Sequence, residues 1–161
     1  MLYLIGVNHI QQHESTRHNL SKLVRDKREV FKSHVLKTIE NFEIAILAEE
    51  FSEDAKKKWG VTESTLEQVG KAKGIKYRPC DPDSREKEAH GIDDDEKREQ
   101  FWLSRIQDCR NKNVLFVCGD DHFKSFSKKL IAARFNVKHG PKWDISQDEQ
   151  SIIDYEVWAA S

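Results

Sequence analysis

The sequence predicts an α/β domain with a mainly parallel sheet of four or five strands and flanking helices. Three observations carry that expectation. Residues 3–7, 42–48 and 114–118 are near-continuous apolar runs, as strands covered on both faces must be. Between them the apolar residues recur at spacings of three and four, the helical period. Two of the runs leave through one pattern, Gly6-Val7-Asn8-His9 and Gly119-Asp120-Asp121-His122, each followed by a helical segment. Strands alternating with helices give a parallel sheet through crossover connections.

Each element has its own local signals. After the first strand, residues 15–40 read as a helix, with Leu20, Leu23, Val24, Phe31, Val35, Leu36 and Ile39 on one face. Arg25-Asp26-Lys27-Arg28-Glu29 is its solvated side, and acids interrupt it too often for a nucleic-acid patch. The second strand, 42–48, runs directly into Glu49-Glu50-Phe51. Ser64 with Glu67 three residues on predicts a capping box, and Gly74 is placed to stop that helix. Residues 75–78 form a short strand that Pro79 ends, ahead of the turn Cys80-Asp81-Pro82-Asp83. Residues 86–99 have few apolar side chains and read as a surface loop. That loop leads into a helix started by Asp93 and Glu96, with Phe101, Trp102, Ile106 and Cys109 as its stripe. Asn111-Lys112-Asn113 turns into the strand at Val114, a helix follows over 123–135, and 135–139 makes an edge strand. The tail from Gly140 carries Trp143, Tyr155 and Trp158 and is expected to dock on the body, so that 1–161 is one domain.

Composition narrows the class. The 27 basic and 28 acidic residues nearly cancel, so no global field draws the chain to nucleic acid or an anionic membrane, and neither is expected as a partner. A mean hydropathy of −0.76 predicts a soluble protein. The first apolar run is far too short to span a bilayer and lacks the flanks of a secretory signal. Three cysteines without a CxxC pair predict no disulfide framework, and a cytoplasmic setting is the expectation.

Four strand exits carry polar groups: His9, Glu49-Glu50, Asp81 and His122. A parallel sheet puts all of them at its carboxyl edge, where open α/β sheets bind ligands. His9, Glu49, Glu50 and His122 are the candidate catalytic residues, with the choice between the two glutamates open. His9, Glu50 and His122 could hold a divalent manganese, zinc or iron ion. The same groups could instead work as acid and base without a metal. Asp81 and Arg85 are candidates for substrate binding. Against this, a histidine in a βα turn can merely cap a helix, Asp81 beside Pro82 is a typical turn former, and Arg85 can pair with Asp81 or Asp83. His9 and His13 have the four-residue spacing of a zincin helix, but Ile10 stands where that motif needs Glu. GxSxG, Walker A and GxGxxG patterns are absent. Cys118 is either a nucleophile or a small buried hydrophobe.

Gly6 with His9, a strand ending in Glu49 or Glu50, Asp81 with Arg85, and Gly119 with His122 resemble the motif set of the TraB/PrgY/TIKI group and its erythromycin-esterase/ChaN-like relatives. The resemblance covers the strand exits between residues 1 and 125. It implies a metal-dependent peptidase or another hydrolase, since TIKI-type members are regarded as metalloproteases. The relatives also include haem-iron binding and metal-independent hydrolysis. The function expected is therefore a small hydrolase of peptide, amide or ester bonds, metal-dependent, acting on a small-molecule or peptide substrate. The alternative is a non-catalytic small-ligand sensor or protein-interaction module using the same pocket.

Overall fold

Apolar runs without alternation become strands with both faces covered, and the three internal ones are buried along their whole length. The structure is a computed structural model and describes residues 1–7 and 22–140. In chain order it contains β1 (Leu2–Val7), α1 (Lys22–Asn41), β2 (Ile46–Glu49), α2 (Glu53–Trp59), α3 (Thr65–Lys73) and β3 (Lys76–Pro79). α4 (Ser84–His90), α5 (Asp95–Ile106), β4 (Val114–Gly119), α6 (Asp120–Ala132) and β5 (Val137–His139) complete the order. The five strands are all parallel, in the order β3-β2-β4-β1-β5. No helix among the described residues is long and apolar enough to cross a membrane.

Alternation along the strands divides the core in two. Leu4, Ala48, Phe116 and Cys118 pack with Trp102 and Ile106 of α5 and Phe126 and Leu130 of α6. Ile5, Leu47, Leu115 and Val117 pack on the other face with Phe31 and Val35 of α1 and Leu66 and Val69 of α3. From β2 the chain crosses over α3 to β3 at one edge. From β4 it crosses over α6, on the opposite face, to β5 at the other edge. Neighbouring strands β2 and β4 therefore send their chains apart, which opens a crevice at their carboxyl ends.

Several boundaries differ from expectation. Residues 42–45 are not strand: Glu43 has φ 49, Phe42 stacks on Tyr3 with ring centroids 4.4 Å apart, and Ile44 N–H closes onto Ile39 carbonyl. Their apolar side chains seal the end of α1, and β2 starts at Ile46. Residues 86–99 are not a loop, because Asp83 and Glu86 form a reciprocal capping box that starts α4. Gly91, at φ 61, ends α4, and Asp94, not Asp93, caps α5. Ser64 caps α3 and Gly74 ends it, as the sequence indicates, while Glu67 turns to Lys56 and Lys71. α6 begins at Asp120, directly on leaving β4. The expected helix over 15–21 and the docked tail from 141 lie outside the described residues.

The two Gly-x-x-His stretches are not in register. Gly6 pairs with Cys118 and Val7 with Gly119, so the second pattern is displaced by one residue. Gly6 is needed for closeness: a Cβ there would meet Phe123 Cδ2 at 3.0 Å and Asp120 Oδ1 at 3.1 Å. Gly119, at φ −60, is ordinary extended backbone. Gly6→Ala should therefore destabilise the fold by about 1–3 kcal/mol, through overpacking against the first turn of α6. Urea denaturation would check this, and a loss below about 0.5 kcal/mol would show that the contact relaxes freely.

Candidate active site

Strand parity decides what the two consecutive glutamates do. Leu47 and Ala48 face opposite sides of the sheet, so Glu49 follows Leu47 and Glu50 follows Ala48. Glu50 sits in the crevice, 5% exposed. Its backbone N–H donates to Val117 carbonyl at 2.9 Å, and its Oε2 accepts from Gly119 N–H at 2.7 Å. One side chain thereby ties the end of β2 to the end of β4. Glu50 Oε1 accepts from Arg98 Nη2 at 2.9 Å. Arg98 also donates Nε and Nη2 to Asp81 Oδ1, at 3.0 and 2.8 Å, and Nη1 to Asp95 at 3.2 Å. The Trp102 indole N–H completes Asp81 at 3.1 Å, and the guanidinium lies 5.4 Å from the Trp102 ring centroid. Carboxylates buried this far need such charge-assisted partners to offset their lost hydration.

His122, in the first turn of α6, is 8% exposed. Its Nδ1 meets Glu99 Oε1 at 3.0 Å, and its ring stands edge-on to Trp102 with centroids 5.0 Å apart. Glu99 is buried and also accepts from Ser125 Oγ and from Lys129 Nζ, the latter at 2.7 Å. Burial alone would push its carboxyl up, but Lys129, Ser125 and His122 together hold it below the usual range. A carboxylate against Nδ1 selects the tautomer with the proton on that nitrogen, which leaves the Nε2 lone pair for chemistry. Nε2 is 3.7 Å from Glu50 Oε1 and 3.9 Å from Asp95 Oδ1, too far for hydrogen bonds. Beside it opens a cavity of about 470 Å³, whose lining includes Glu50, Asp81, Arg98 and His122.

Of the residues the sequence singled out, Glu50, Asp81 and His122 therefore converge. Glu49 lies on the other face of the sheet, and Arg85 is exposed on α4 and lines no part of this cavity. The guanidinium at Asp81 is Arg98. His9 is outside the described residues, although the end of β1 runs beside the end of β4. Cys118 is fully buried, and burial pushes its thiol far above the ordinary range, so it is the small hydrophobe of the two alternatives. Arg98 and Glu99 escaped the sequence reading. They sit in its most polar stretch, yet both lie about one turn before Trp102, at the spacing of the buried stripe.

No protein-family model, characterised protein or solved structure matches the chain.

The donors can still be tested against the metal expected at His9, Glu50 and His122. Both Glu50 oxygens already accept, one from Arg98 and one from Gly119 N–H. Among the described residues, no group of three His, Cys, Asp or Glu side chains is arranged to hold an ion. The described donors thus do not fit a metal held through Glu50, because a fixed guanidinium already occupies the cation position between the carboxylates.

Glu49 is held in the opposite way. It is fully buried, Oε1 accepts from Tyr77 hydroxyl at 2.6 Å and from Ser64 hydroxyl, and Oε2 has no hydrogen-bond partner. Burial dominates and pushes its carboxyl up to about 7, although Ser64 and Tyr77 pull the other way. A raised acid stabilises the fold fully below its unfolded value near 4.5, and that stability is lost as pH rises to about 7. The expected loss across that window is on the order of 3 kcal/mol. Glu49→Gln should flatten the dependence and stabilise the protein at pH 8. Chemical denaturation at pH 5 and pH 8 measures both, and equal slopes in the two proteins would contradict the assignment.

Proposed function

We propose that this chain is a small hydrolase of peptide, amide or ester bonds in which His122 is the general base. The single observation that supports it is the Glu99–His122 pair, with Nδ1 held by a buried carboxylate and Nε2 turned toward the cavity beside Glu50. A water at Nε2 gives up a proton as its oxygen attacks the carbonyl carbon. The imidazolium so formed is stabilised by Glu99 and by Glu50 at 3.7 Å. The same proton then passes from Nε2 to the departing amine or alcohol, which leaves the acid product and a neutral imidazole. Glu99 acts by fixing ring and tautomer. Arg98 keeps Glu50 and Asp81 in place, and it is itself held by Asp95 and Trp102.

Turnover of a panel of small esters, amides and dipeptides tests this reading. His122→Ala should lower kcat/KM by about 10²–10⁴ while the thermal midpoint shows a folded protein. Glu99→Gln should reduce kcat in the same range, because the amide can favour the wrong tautomer. A chelator should leave the rate unchanged. Its abolition by chelation, with recovery on added Mn²⁺ or Zn²⁺, would put a metal ion in place of the free imidazole as the agent that activates water. Undiminished turnover in His122→Ala, or none by the wild type on any substrate of the panel, would refute the proposal.

A further inference from the structure

The cavity has a wall that the acid–base reading leaves unused. We infer that the substrate carries an anionic group, carboxylate or phosphate, and that Lys58 of α2 and Lys87 of α4 bind it. This rests on the cavity being the substrate site, and it adds the chemical class of what enters.

The charges lining the cavity differ in how they are satisfied. Glu50 and Asp81 both accept from Arg98. Asp54 Oδ2 accepts from Ser84, from its backbone N–H at 2.6 Å and from its hydroxyl, which staples α2 to the first turn of α4. The three acids are thus engaged from within the fold. Lys58 and Lys87 also line the cavity, yet among the described residues neither ammonium makes an ion pair or a hydrogen bond, and Lys87 acts on Asp54 only through space. The two lysines stand on helices fixed to each other by Asp54–Ser84, so their backbones keep one spacing while the flexible ammonium groups close on one anion. Lys58 Nζ stands 5.3 Å from the Trp59 ring centroid, which biases its direction. Trp59, beside Lys58, also lines the cavity and offers apolar surface next to that cation. The ligand these features select is a small molecule with an apolar body and an acidic group, large enough to reach His122.

Benzoate, phenyl phosphate and uncharged benzamide share one ring and separate the alternatives. Binding to the purified wild-type protein, followed by ligand-observed NMR at low salt, should favour one or both anions over benzamide by about tenfold. Preference for benzoate points to a carboxylate substrate, and preference for phenyl phosphate to a phosphate. The Lys58→Ala/Lys87→Ala double variant should lose the discrimination, whereas His122→Ala should keep it. Equal binding of all three probes, binding of none, or discrimination that survives in the double variant would overturn the inference. Because binding is read without turnover, the two proposals fail separately. Anion preference without hydrolysis would refute only the hydrolase, and hydrolysis without anion preference would refute only the anion site.

Discussion

The crevice depends on one carboxylate, that of Glu50. Where β2 and β4 part, the sheet ladder ends and leaves Gly119 N–H without a strand partner. Glu50 Oε2 accepts that hydrogen and its Oε1 takes Arg98, so one side chain continues the ladder and anchors α5. Arg98 carries the connection to Asp81 at the end of β3, and Asp81 N–H in turn bonds Phe51 carbonyl. Three strand ends and one helix are thereby fixed around a half-buried guanidinium. Removing Arg98 would take the shared cation from the carboxylates of Glu50 and Asp81, which costs far more than the pairs contribute when intact.

How much of this arrangement is legible in the residues depends on the range over which each signal acts. β1, β4, the Ser64 cap and the Gly74 stop are local, and they stand where the residues indicate. Phe42 and Ile44 misled because apolar runs do not distinguish a strand from a turn that covers a neighbouring helix. The Asp83–Glu86 box carried the same signal as Ser64–Glu67 but was hidden by the polarity of residues 87–99. The choice between Glu49 and Glu50 was closed to the sequence for a different reason. Period-two alternation says that they face opposite sides, but only the placement of α5 and α6 says which side holds the crevice. Arg98 and Glu99 were missed because a polar pair reads as solvated surface unless a buried aromatic is seen to lie along the same stripe.

The repeated Gly-x-x-His pattern illustrates how similar letters can answer different constraints. The second glycine ends its strand, starts a helix and offers its N–H to a carboxylate. The first lies inside β1, one register position earlier, and is small because the first turn of α6 passes over it. In a parallel sheet a shift of one residue reverses the face of every later side chain. The likeness of the two stretches therefore says that both leave at the carboxyl edge, and it carries no information about how their histidines are directed.

Glu49 and Glu50 are adjacent in the chain and chemically identical, and the sheet between them separates two electrostatic regimes. On the crevice side, a guanidinium and a backbone amide surround the carboxylate and the cavity admits solvent. On the α3 side, Tyr77 and Ser64 offer only neutral hydroxyls, and the cation that acts on Glu49, Lys56, is a minor influence behind burial. Burial there favours the neutral acid, and the hydroxyls do not reverse it. One strand end thus presents a carboxyl bonded to a guanidinium to the site on one face and, to the core on the other, an acid that burial raises to about 7.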